Sequence, residues 1–203
     1  ISMKHGGTAI YSKNDVHVTA FKLNVQPCEG HFEFCAVKLI NLNCVVVAAY
    51  RPPGGDVAIF LNLLENILEE IVSVSKIILC GDFNINFLNT VNVNTTALND
   101  LLYSFGLKIL LHEPTRVTPT TKTCLDNVFI SESIACSLDN IDFCLSDHHG
   151  QLLKIAIQTQ SIGDRFSQRK QRMFSPTNKE QFSADLSREE WRDVFCSDDP
   201  EQA

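Results

Sequence analysis

Two unbroken apolar runs, residues 45–49 and 77–80, flank a stretch whose apolar residues recur at helical spacing. That arrangement constrains the fold more than any other feature of the chain. A run without polar alternates suits a strand covered on both faces. Between the two runs, Phe60, Leu63, Leu64, Ile67, Leu68, Ile71 and Val72 follow the i, i+3, i+4 rule, while Asn62, Glu65, Asn66, Glu69 and Glu70 hold the other face. The pattern predicts a helix over 56–75, N-capped by Asp56, that connects two buried strands and packs one face on their sheet. Its glutamates read as a solvated face.

The second strand runs into Gly81, Asp82 and Asn84, in the segment KIILCGDFNIN. With one residue between them, Asp82 and Asn84 point the same way in extended backbone, and Phe83 turns inward. A carboxylate there can bind a hard cation or orient a water, and the amide can hydrogen-bond a phosphate oxygen without adding negative charge. The same residues equally suit an Asx turn at a strand end. The first strand ends at Tyr50, because Pro52 and Pro53 cannot continue a ladder. Further polar groups follow other strand-like runs: Asp126 within 123–128, and Ser146-Asp147-His148 before 151–157. Polar side chains gathered at strand ends are how a site is built on a sheet edge.

Four motifs, YRPPGG, GDFNIN, PTRVT followed by TCLDNVF, and LSDHHGQL, occur in that order. In this the chain resembles the exonuclease-endonuclease-phosphatase superfamily over about residues 6–158. More narrowly, it resembles the endonuclease domain of jockey-like non-LTR retrotransposon polyproteins. The resemblance implies an α/β fold, a four-layer α/β/β/α sandwich of two packed sheets with helices outside. It also implies metal-dependent hydrolysis of a DNA phosphodiester with Mg²⁺ or Mn²⁺. By the same resemblance, Asp82 activates water, Asn84 and Tyr50 contact the phosphate, and Asp147 approaches the metal. His148 stabilises the developing phosphorane, Asp126 orients His148, Ser146 supports the loop, and Arg51 and Arg116 contact DNA. The family's early Asn and metal-binding Glu lie upstream of a segment like 6–13, and neither is present. The expectation is therefore a fold lacking its first strands, with impaired activity. The alternatives are a non-catalytic remnant or binding module, and a phosphatase of the same superfamily.

The formal charge of −7 argues against holding nucleic acid mainly through a basic surface. A site with several carboxylates instead takes positive charge from a bound cation. The eight cysteines contain no CxxC pair and read as free, mostly buried thiols, which places the chain inside the cell, nuclear or cytoplasmic. Neither a signal core nor an apolar run near 18 residues occurs, so no membrane association is expected. The chain starts at Ile1 without an initiator Met and reads as a fragment.

Elsewhere the pattern predicts short strands over 8–12 and 16–25, an Asn/Thr loop over 89–96, a helix over 97–105, a brief strand over 108–111 and an ordered loop over 112–123. His5, His17 and His31 read as surface residues. Two domains are expected: 1–158, and a tail over 159–203. The tail comprises a basic linker through Arg165, Arg169, Lys170 and Arg172, then two short helices capped by Thr177 and Ser187. The resemblance implies that a reverse transcriptase module follows.

Overall fold

The computed structural model describes residues 7–156, 176–188 and 190. The chain divides into two compact units, Ile1–Phe166 and Ser167–Ala203. The first is built on the predicted strand–helix–strand. Strand β3 (Cys44–Tyr50), helix α1 (Val57–Val72) and strand β4 (Lys76–Asp82) follow in order, with β3 and β4 parallel. Asp56 caps α1 as expected, its carboxylate accepting from the N–H groups of Ala58 and Ile59.

Around this unit the sheet grows to six strands in the order β1-β2-β3-β4-β8-β5. The added strands are β1 (Val18–Ala20), β2 (Glu33–Leu39), β5 (Leu107–Ile109) and β8 (Asp126–Ser131), all antiparallel to their neighbours. Helix α2 (Val93–Ser104) precedes β5, and a two-strand ribbon, β6 (Arg116–Val117) with β7 (Lys122–Thr123), precedes β8. After β8 comes a hairpin, β9 (Cys136–Ile141) and β10 (Gly150–Ile155).

Side chains alternate between the two faces of a strand, so strand register assigns each face. Val47, Leu79 and Phe129 form one cross-strand row. On that face Phe83 stacks edge-on against Phe129 with ring centroids 5.2 Å apart, and Phe60 of α1 lies 6.3 Å from Phe83. Phe60, Leu64, Ile67, Leu68 and Ile71 of α1 are fully buried. On the opposite face Cys44, Ile78, Val128 and Ile130 pack with Cys136, Leu138, Leu153 and Ile155 of the β9–β10 hairpin. Helix, six-stranded sheet and second sheet are thus stacked, the mixed α/β arrangement expected. Outer helices over the second sheet are not among the described residues.

The sheet demands Gly81. It sits at φ +147°, and a Cβ there would lie 1.8 Å from the carbonyl oxygen of Ala49 on β3.

Several local expectations differ. Residues 8–12 form no strand, and the segment over 16–25 contributes only β1. Helix α2 starts well before residue 97 because the Asn92 side chain caps it by accepting from Asn94 N–H, and Thr95 is fully buried within it. The expected loop over 112–123 contains the β6–β7 ribbon. His31 has a role: its Nδ1 accepts from the Asp56 N–H at 2.9 Å, at the entry to α1.

In the second unit, α3 (Pro176–Arg188) runs as a single helix through Ser187, where a second helix start was expected. Phe182 of α3 is exposed. The basic linker and residues 191–203, where the second helix was expected to continue, lie outside the described residues.

Candidate active site

The site follows from the register. Glu33, Tyr50, Asp82 and Asp126 are consecutive partners across β2, β3, β4 and β8, one row at one end of the sheet. Partners in register share a face, and this row lies on the face covered by β9 and β10. The loop joining those two strands carries residues 142–149, so packing the hairpin on the sheet delivers His148 to the end of the row. There, His148 Nδ1 meets Asp126 Oδ2 at 2.8 Å. A carboxylate accepts in this bond from the Nδ1–H of the ring and orients the imidazole.

Asp126 is itself held by Thr115, which is fully buried. Thr115 Oγ1 donates to Asp126 Oδ2 and accepts from the N–H groups of Leu125 and Asp126, all at 3.0 Å. Thr115 lies in the PTRVT motif, but nothing in the sequence marks it as the residue that holds Asp126. Glu33 carries no sequence signal either, because its place in the row depends on strand register.

At Asp82 the Asx-turn reading is realised. Strand β4 ends there, and Asp82 Oδ1 accepts from the Asn84 N–H at 3.0 Å, an Asx-type turn. Asn84 leaves the extended conformation for φ 47°, so the simple alternation does not continue through it. Its Nδ2 donates to the Arg51 carbonyl at 2.9 Å, and Phe83 turns into the core as expected. Burial pushes the Asp82 carboxyl above the usual range. Its bond from the Asn84 N–H and the nearby His148 oppose that shift, and Asp126 adds to it. Tyr50 is half-buried beside Asp82 in the row.

Ligand atoms of Asp82, Asp126 and His148 all lie within 4.8 Å of one another, and together they can hold a metal ion. The donor set fits a hard divalent cation. Two carboxylates stand side by side, and among the described hydrogen bonds Asp82 Oδ2 and Asp126 Oδ1 are uncommitted. Asp147 is not in this group. Its Oδ2 accepts from Arg116 Nε at 2.7 Å, and that bond is the chief reason its carboxyl lies below the usual range. Ser146 braces the loop, its Oγ accepting from the His148 N–H and donating to the His148 carbonyl, both at 3.1 Å.

The two arginines part company. The Arg116 side chain is 41% exposed, whereas Arg51 is 4% exposed and hydrogen-bonded to three backbone carbonyls. A buried, occupied guanidinium is not presented to DNA, which corrects the expectation for Arg51.

A sheet stacked in this way, with carboxylates, an amide and a histidine at its end, is the arrangement of the endonuclease/exonuclease/phosphatase type of hydrolase. The chain belongs to the endonuclease-reverse transcriptase family, whose model matches residues 44–152, more than half of its length. Among solved structures, the endonuclease domain of TRAS1, a telomere-specific non-LTR retrotransposon, is similar at TM-score 0.58 and 18% identity. The similarity covers 72% of this chain and 71% of that one. A 3′ phosphatase from Neisseria, NExo, bound to product DNA hairpin, is similar at TM-score 0.53 and 15% identity over 71% of each chain. At these identities the likeness concerns the fold. No curated protein sequence matches the chain. No described helix is long and apolar enough to cross a membrane.

Proposed function

We propose that this chain is a DNA-nicking endonuclease domain of a jockey-like retrotransposon polyprotein, hydrolysing a phosphodiester with Mg²⁺ or Mn²⁺. The observation that carries the reading is the approach of Asp82, Asp126 and His148 to within 4.8 Å at the sheet end, with Asn84 attached to the same turn. A bound divalent cation supplies charge neutralisation and Lewis acidity at the phosphate.

The remaining roles fall to the chain's own groups. Asp82 orients the water for in-line attack and accepts its proton, while Asn84 and Tyr50 contact the phosphate. Asp126, bonded at Nδ1, holds the His148 ring where it stabilises charge developing on the phosphoryl oxygens. Ser146 keeps His148 in place, and Arg116 contacts the DNA backbone. Asp147, beside this group, would be a further ligand for the cation.

The motifs YRPPGG and LSDHHGQL support the jockey-like assignment. The family's description supports a reverse transcriptase in the same polyprotein, and the free cysteines fit a reducing, nuclear or cytoplasmic setting. Two cation-facing carboxylates, with Asp147 committed to Arg116, support weak activity of the chain as it stands.

The test is nicking of supercoiled plasmid with Mg²⁺, beside Asp82→Ala and His148→Ala. Loss of nicking in both variants is expected, and equal nicking by all three proteins overturns the assignment. Likeness to a 3′ phosphatase motivates a second assay, release of inorganic phosphate from 3′-phosphorylated DNA. Release without nicking would favour that chemistry.

A further inference from the structure

We propose that Arg51 is a positioning residue that fixes the Asp82–Asn84 turn and thereby sets where the site's carboxylate and amide are presented. The proposal rests on the phosphoester-hydrolase reading of that turn. The guanidinium gives each of its three nitrogens to a different carbonyl: Nε to Phe83, Nη2 to Asn84 and Nη1 to Gly55, each at 2.7 Å. The Arg51 peptide adds two more bonds, its N–H donating to the Asp82 carbonyl and its carbonyl accepting from Asn84 Nδ2, both at 2.9 Å.

Four of these five bonds therefore go to residues 82–84. The turn needs such a hold. Asn84 adopts a left-handed conformation, and carbonyls at the end of a strand have no ladder partner to orient them. A planar fork matches three divergent acceptors in a way that a single ammonium cannot. The fifth bond, to Gly55, closes the turn that follows β3, so the ends of β3 and β4 are tied together through one side chain. Burial lowers the pKa of the guanidinium, and the neighbouring Asp82 opposes that shift.

The experiment compares the wild-type chain with Arg51→Lys and Arg51→Met, by steady-state nicking and by amide hydrogen exchange. In folded variants, kcat is expected to fall about 100-fold with KM nearly unchanged, because the damage is to alignment. Exchange at the Asn84 amide is expected to rise while amides within β3 and β4 keep their protection. A uniform loss of protection, or kcat per folded molecule equal to wild type, overturns the proposal.

Wild-type NMR covers the case in which neither variant folds. Slowly exchanging, individually resolved Arg51 Nη protons are expected, and a freely rotating guanidinium overturns the assignment. If wild type does not nick, the proposed activity fails by itself, while exchange and the guanidinium signals still decide whether Arg51 holds the turn.

Discussion

Asp82 carries two duties that pull against each other. One oxygen closes the turn to Asn84 while the group stands half-buried beside a second carboxylate. Burial raises its pKa, so the folded state binds the proton more tightly than the unfolded chain does. The stabilisation from this group is complete below the unfolded carboxyl value, about pH 4, and is lost as pH rises through the folded pKa. Asp82→Asn keeps an oxygen acceptor and removes the charge. It should melt higher than wild type at about pH 7 in chelator, with the gap closing near pH 3. Added Mg²⁺ should narrow the gap by stabilising wild type alone. Thr115 makes the complementary case, since its single oxygen serves three bonds in a dry setting. Thr115→Val leaves two peptide N–H groups unpaired and should cost about 2–4 kcal/mol in denaturant titrations.

Strand β4 has little freedom near its end, because the backbone there passes Ala49 without room for a methyl group. Gly81→Ala combines an unfavourable φ with backbone overlap, and should destabilise by about 3–5 kcal/mol, measured by thermal unfolding. How much is legible in the sequence depends on what holds each element in place. Strand β3, helix α1 and strand β4 announce themselves because burial on both faces, or along one stripe, writes a period into the sequence. The start of α2 does not, because Asn92 to Thr96 read as loop formers and only a side-chain cap and the burial of Thr95 make them helical. Strand β9 is hidden for a related reason: Asp139 and Asn140 look like turn residues, yet they pair with Leu152 and Gln151 across the hairpin. The motifs contain Asp82, Asp126, His148 and Thr115 alike, but the role of Thr115 as a brace is hidden, because it lies in contacts with residues up to 11 positions away. Arg51 stands out as part of a motif, but its burial depends on a turn formed more than 30 positions later, which no local pattern reveals.

At the scale of the whole molecule, thiol chemistry reports on the core. Burial raises Cys44, Cys80 and Cys124 to about 11, so they remain protonated and unreactive while the chain is folded. Cys144 is exposed. Timed alkylation read by mass spectrometry should therefore label Cys144 early, and Cys44, Cys80 and Cys124 only as the protein unfolds. The strand order carries a further consequence. The outer strands of the six-stranded sheet, β1 and β5, are three residues each, whereas the inner β3 and β4 are seven. A neighbouring molecule meeting either border finds too few open peptide groups to extend the ladder. The sheet is thereby shielded from edge-to-edge fibril growth, and the long apolar strands that create the core stay out of reach of other chains.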